Sequence, residues 1–463
     1  MVCWIQDFLV SSHTHVNEDS ETAITVTNRE KKTKNLARKN ARRLRWISLL
    51  VLIAGLSLYI GRRKLICPLL RKVAESRIQS HQIADARWWI DCAAGIAPQD
   101  PSTLLLQARI LRHQGDMAGV SNVLKQAREH GARDLDVRRQ QWLAMAQSGQ
   151  MSLAEPHLSR LLTDQSYDNK DVCLAFVIGY LRTQQSDSAT TLLNTWIADT
   201  QDDATPYLYR ARIRNLLSQP ESAEEDFRSA IAVEPDWPQP QLELGELLTD
   251  TKKYESAKQL LAGVMDVPEL AVRARIAMAE CELSLANTTA AVSILAEACS
   301  IEPSSVDARI AYGNALVETG DYRSAIENLK QALESRPNDD EAHYLLGQAY
   351  TLDGNGEAAT PHFEFVKEAR RARDELDKLN SQLITNPKDA TSLIRAGEIL
   401  LMYGTPEEGV IRIMAGLDLA PRNLTGLALL AAHYEQKAAG SSDFQALAVH
   451  YKDLLDKARS STE

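Results

Sequence analysis

The spacing of small residues and prolines constrains what this chain can fold into more than any other feature. From Val306 to Asp339 the stretch VDARIAYGNALVETGDYRSAIENLKQALESRPND puts Gly313, Ala325 and Ala332 at places 8, 20 and 27 of 34. Gly320-Asp321 interrupts it midway, and Pro337 stands at place 32. Apolar residues recur every three or four positions on both sides of the interruption, so the stretch predicts two amphipathic helices joined by a tight turn. Shifting the frame by 34 residues gives starts at Ala204, Pro238, Val272 and Asp340. Place 8 then holds Ala211, Gly245, Ala279, Gly313 and Gly347, and place 20 is alanine in all five copies (Ala223, Ala257, Ala291, Ala325, Ala359). Five copies in unbroken phase define an internal repeat.

The residue types have a physical reason. The two helices of a hairpin, A and B, approach closely only where side chains are small, and a large residue there would overpack the contact by roughly 1–3 kcal/mol. Proline at place 32 (Pro235, Pro303, Pro337, with Glu269 and Arg371 in the other two copies) ends helix B by removing a donor and crowding the turn before it. One hairpin cannot bury its own apolar face, whereas stacked neighbours can. Looser copies start at Cys67, Pro101, Leu135 and Lys170, which makes nine repeats over residues 67–373. Residues 374–389 are sixteen extra positions that continue the helical period through Leu376, Leu379 and Leu383 to Pro387, and so predict one overlong helix. Two further hairpins fill residues 390–459, the last serving as a C-terminal cap.

This period and pattern resemble the tetratricopeptide repeat, a helical hairpin of the same length. The resemblance implies an all-α fold, a right-handed superhelix of about eleven hairpins, and a protein-binding scaffold rather than an enzyme. It also implies a concave groove lined by places 2, 5, 9 and 12 of each helix A. In this chain the central place-5 residues are Leu208, Leu242, Ile276, Ile310 and Tyr344, and the place-9 residues are Arg212, Glu246, Glu280, Asn314 and Gln348. An apolar track beside mixed polar residues suits an extended peptide or a partner helix. The place-5 residues equally suit packing against the neighbouring helix. The clamp by which chaperone-binding relatives hold a C-terminal carboxylate is absent, because Ile310 stands where that clamp has lysine and Glu341 and Leu345 occupy its positions in the next repeat.

Ahead of the repeats the character changes. Residues 1–45 read as a polar, basic tail without period, and Arg29–Arg45 holds nine Lys/Arg. Trp46–Ile60 (WISLLVLIAGLSLYI) is free of charge, and Arg62, Arg63 and Lys64 follow. Residues 46–61 therefore predict a single transmembrane helix. Fifteen residues at 1.5 Å each reach about 22 Å, short of a hydrocarbon core of about 30 Å, and snorkelling arginines with interfacial Trp46 and Tyr59 cover the shortfall. A buried helix would not be bracketed by so many charges, and a cleavable signal peptide fits poorly with a basic region that starts 28 residues in. The larger positive charge before the segment puts the N-terminus in the cytoplasm and the repeats in the periplasm or another extracytoplasmic space.

Charge is divided unevenly. Residues 1–64 carry 12 Lys/Arg against 5 Asp/Glu, a net of +7, and the remaining 399 carry 40 against 57, a net of −17. A body this acidic argues against nucleic acid as a partner. The six cysteines form no CxxC and no metal-ligand spacing with histidine, and the chain has no HExxH, G-x-S-x-G or GxxxxGK[ST] motif. No cofactor, metal or small-molecule substrate is expected. The expected function is a membrane-anchored protein-interaction scaffold. The alternative is a substrate-delivery or assembly subunit of a secretion or envelope-biogenesis complex whose catalytic partner is separate.

Overall fold

The backbone writes the 34-residue frame as a repeated turn. In nine consecutive repeats the residue at place 15 takes the left-handed conformation: His81, Gly115, Gly149, Gln184, Ser218, Lys252, Ala286, Gly320 and Gly354, with φ between 57° and 86°. A residue in that conformation ends a helix and folds the chain back on itself. Five of the nine carry a side chain there, at a cost of roughly 1–2 kcal/mol each.

The computed structural model describes residues 65–164, 168–200, 202–438 and 442–460. The expected tail (1–45) and transmembrane helix (46–61) lie outside these residues. Among the described residues no helix is long and apolar enough to cross a membrane.

All regular structure among the described residues is helical, and the chain divides into two compact units, Met1–Gln185 and Ser186–Glu463. In the first unit the helices are α1 (Cys67–Gln79), α2 (Ile83–Ile96), α3 (Pro101–His113), α4 (Met117–Glu129), α5 (Asp134–Gln147), α6 (Met151–Ala154), α7 (Leu158–Thr163) and α8 (Asn169–Arg182). The second unit runs α9 (Ser186–Asp199), α10 (Thr205–Leu216), α11 (Pro220–Val233), α12 (Pro238–Asp250), α13 (Tyr254–Ala262), α14 (Ala271–Ser284), α15 (Thr288–Ile301) and α16 (Val306–Thr319). It continues with α17 (Tyr322–Ser335), α18 (Asp340–Leu352), α19 (Gly356–Thr385), α20 (Ala390–Tyr403), α21 (Pro406–Leu419), α22 (Leu424–Lys437) and α23 (Ser442–Ser460).

Helix starts follow capping chemistry. Asp100, Asp168, Ser305, Asp339, Asp389 and Asn423 each accept a hydrogen bond from a backbone amide in the first turn of a helix A. Asp116, Asp321 and Asn355 do the same for helix B. The small places do what their spacing demands. A Cβ added at Gly313 would sit 2.6 Å from Leu329 Cγ, and one at Gly245 would sit 2.6 Å from Leu261 Cδ2. The place-20 alanines from Ala223 to Ala359 are buried at the same crossings.

Two departures from regular hairpins have local causes. The third helix B is split into α6, a 3₁₀ turn at Glu155–His157 and α7, because Pro156 denies the turn its amide donor. Helix α19 is 30 residues long and ends at Thr385, two residues before Pro387. Its tail is held to the next hairpin by the Arg395–Glu375 pair at 2.7 Å and by Arg412 donating to Asn380 at 2.5 Å.

The first unit also holds a buried polar network. Asp171 of α8 and Arg112 of α3 are both fully buried and pair at 2.5 Å. Arg109 lies 3.3 Å from the same carboxylate, and His113 Nε2 lies 2.9 Å from its other oxygen. Gln147 of α5 accepts from Arg112 Nη1 at 3.0 Å. Burial alone would raise the Asp171 pKa, but the two guanidiniums and His113 hold it well below the usual carboxylate range. Burial also lowers the pKa of His113. Cys67, Cys92, Cys281 and Cys299 are free thiols.

Candidate interaction groove

In the second unit, α10, α12, α14, α16 and α18 are the A helices that carry the expected groove residues. The aliphatic place-5 residues turn mostly inward. Leu208 and Leu242 are 1% and 0% exposed and belong to the core with Phe227 and Leu261. Ile310 is 5% exposed and packs with Leu329 and Leu346. Ile276 is half-buried, and Tyr344 is exposed at 42%. The aliphatic positions therefore do not form an open apolar track; packing against the adjoining helices takes up most of it.

The place-9 residues stay accessible and are joined by carboxylates from other places of the repeat. Arg212 donates to Glu243 at 2.8 Å, and Gln239 donates to the other oxygen of that carboxylate at 2.6 Å. Arg273 reaches both oxygens of Glu246, at 2.9 and 2.8 Å. Arg336 pairs with Asp307 and lies 3.4 Å from Asp339. Gln348 donates to the Tyr344 hydroxyl at 3.1 Å, and the Tyr344 ring meets Phe363 edge-on with centroids 6.1 Å apart.

Two clefts open between these helices. One, of about 220 Å³, has Ile276 and Ile310 on its floor and Glu280, Asp307, Asn314 and Glu341 around it. The other, of about 480 Å³, is bounded by Arg212, Glu243, Glu246, Asp250 and Arg273. Together the two linings hold seven carboxylates (Glu243, Glu246, Asp250, Glu280, Asp307, Asp339, Glu341) against three guanidiniums (Arg212, Arg273, Arg336), a net of −4.

This crowding shows in the titration of the groups. Burial raises the pKa of Glu280, and Asp250, Glu341 and Glu246 raise it further. Glu341 is raised by burial and then by Asp339, Asp340 and Asp307. Glu246 is raised by burial, against which Arg273 pulls down. Carboxylates that raise one another's pKa form a surface that a cation would relieve. Asp307 and Glu341 stand at place 2, one of the groove places, whereas Glu243 and Asp250 lie outside them; the one sequence signal for those two is the −17 net charge of the chain after residue 64. Among the described residues no group of three or more His, Cys, Asp or Glu is arranged to hold a metal ion.

The tetratricopeptide repeat model matches residues 313–354. No curated protein sequence matches the chain. Similar solved structures include PilF of Pseudomonas aeruginosa, at 16% identity and TM-score 0.39 over 43% of this chain and 90% of that one. A tetratricopeptide repeat protein of Parabacteroides merdae aligns at 16% identity and TM-score 0.38 over 58% and 92%. A monomeric IFIT1 mutant with Gppp-AAAA aligns at 15% identity and TM-score 0.41 over 77% and 90%.

Proposed function

We propose that this chain is a protein-interaction scaffold that takes a cationic segment of a partner protein along the A-helix face of its second unit. The observation that carries this reading is the row of mutually crowded carboxylates at Glu246, Asp250, Glu280 and Glu341 above the two clefts. A Lys- or Arg-bearing helix or extended strand would neutralise that row while its aliphatic stems cover the half-buried Ile276. Residues 46–61 hold the scaffold at a membrane, with the N-terminus cytoplasmic and the repeats extracytoplasmic. This rests on the uncharged Trp46–Ile60 run and its basic flanks. Nucleic acid is disfavoured as the occupant, since its phosphates would face the same carboxylates.

The test is fluorescence anisotropy on the full chain in nanodiscs, with a labelled 15-residue amphipathic peptide bearing lysines on one face. The comparison probe is the same peptide with glutamates in their place. The lysine peptide binds with an affinity that falls steeply with salt, and Glu280→Lys with Glu341→Lys weakens it at least tenfold. Equal binding of both peptides, or no change in the double variant, would refute the reading.

A further inference from the structure

The hairpin formed by α18 and α19 is pinned by two facing histidines. His343 Nδ1 and His362 Nδ1 lie 2.9 Å apart. His343 Nε2 is 2.9 Å from the Pro337 carbonyl, which can only accept, so Nε2 carries a hydrogen. In the neutral pair His343 Nδ1 is therefore the acceptor, and His362 donates from Nδ1. Aromatic rings hold both imidazoles in place. His343 stacks on Phe365 at 4.0 Å between centroids, and His362 lies parallel to Tyr350 at 5.8 Å. Phe365 in turn touches Tyr403 of α20.

This arrangement counts protons. A neutral pair makes one N–H···N bond, and a singly protonated pair makes a stronger, charge-assisted one. A doubly protonated pair would aim two N–H groups at each other across 2.9 Å. We propose that His343 and His362 form a one-proton latch that holds α19 to α18 and opens in mild acid.

Around His362 the surroundings offer no relief for a second charge. From α17, Lys330 sits 5.5 Å from the Tyr350 ring centroid and repels a charge on His362. Burial first, then His343 and Lys330, hold His362 below the ordinary histidine value, and no carboxylate counters them. On the first turn of α18, Asp340 pairs with Arg373 at 2.9 Å, and Glu341 faces the cleft. The sign follows. A folded state that refuses a proton the unfolded chain accepts loses stability as pH falls below about 6.5. The latch adjoins the groove, because Tyr344 follows His343 and meets Phe363, which follows His362. It does not depend on what the groove binds.

Hydrogen–deuterium exchange of the full chain, corrected for intrinsic rates and read on peptides from α18 and α19, tests the latch. Between pH 7 and pH 5 their protection falls by about tenfold, the factor that one pH unit of unequal proton binding produces, while α12 and α13 hold theirs. His362→Gln removes the group that refuses the proton and abolishes the fall, whereas His343→Gln leaves burial and Lys330 acting on His362 and only reduces it. Two independent variants keep the test readable if one of them packs poorly. Constant protection in the wild type, or the same fall in both variants, would overturn the proposal.

Discussion

Asp171→Asn is the perturbation on which the packing argument for the first unit can be judged most sharply. The substitution keeps the side chain's shape and removes its charge. Arg112, fully buried and 2.5 Å away, is then left as a cation with only amide partners such as Gln147. Arg109 keeps Asp168 at 2.8 Å, so the loss concentrates on Arg112 and His113. Removing one member of a buried ion pair costs about 3–5 kcal/mol, because the other charge stays desolvated. At 1.4 kcal/mol per tenfold, amide protection in α3, α5 and α8 should drop by roughly a hundred- to several-thousandfold. Because the chain has two compact units, exchange read peptide by peptide is a better assay than one global melting curve. The paired change Arg112→Met with Asp171→Leu removes both charges and should recover most of the loss. The pH dependence has a defined sign. The Asp171 pKa is depressed, so its contribution is present above the ordinary aspartate value of about 3.9 and is lost as pH falls through the lower folded value. Asp171→Asn should therefore flatten the acid limb of first-unit stability. A loss under 1 kcal/mol, or a paired variant no more stable than the single one, would refute the reasoning.

Two further outcomes follow from the hairpin crossings. Gly313→Ala places a Cβ 2.6 Å from Leu329 Cγ and should cost about 1–3 kcal/mol, offset by about 1 kcal/mol of helix propensity. Leu329→Ala in the same molecule vacates that space, so a double-mutant cycle on urea midpoints should show favourable coupling, and zero coupling would contradict the contact. Ala286→Gly relieves a left-handed alanine (φ 61°) and should stabilise by about 0.5–1 kcal/mol, seen as a higher unfolding temperature. An unchanged or lower unfolding temperature would show that the turn is not strained.

The helical hairpins were legible in the sequence because each leaves a local chemical trace. Places 8 and 20 need small residues, the helix starts need Asp, Asn or Ser, and prolines mark the ends. Leu376, Leu379 and Leu383 likewise showed α19 continuing past its expected end, and the structure runs it to Thr385. The split of the third helix B was equally available in Pro156 but is masked by an otherwise helical period. The left-handed turn at place 15 was readable where it is glycine and hidden where it is His81, Gln184, Ser218, Lys252 or Ala286, because the packing of the two helices that flank the turn overrides the local preference.

What the sequence by itself determined is therefore the repeat: its period, its small crossings, its caps, and an acidic body behind a basic, apolar beginning. Which face of each helix A meets solvent was decided only by tertiary structure. Periodicity marks an apolar stripe but does not say whether the neighbouring hairpin covers it. Leu208, Leu242 and Ile310 share the spacing of Tyr344, yet three are buried and one is exposed. The carboxylates of the groove and the Asp171 network come from helices tens of residues apart in the chain, and the facing histidines from the two helices of one hairpin, 19 residues apart. Their charges and protons interact because stacking desolvates them together, and no spacing along the sequence records that proximity.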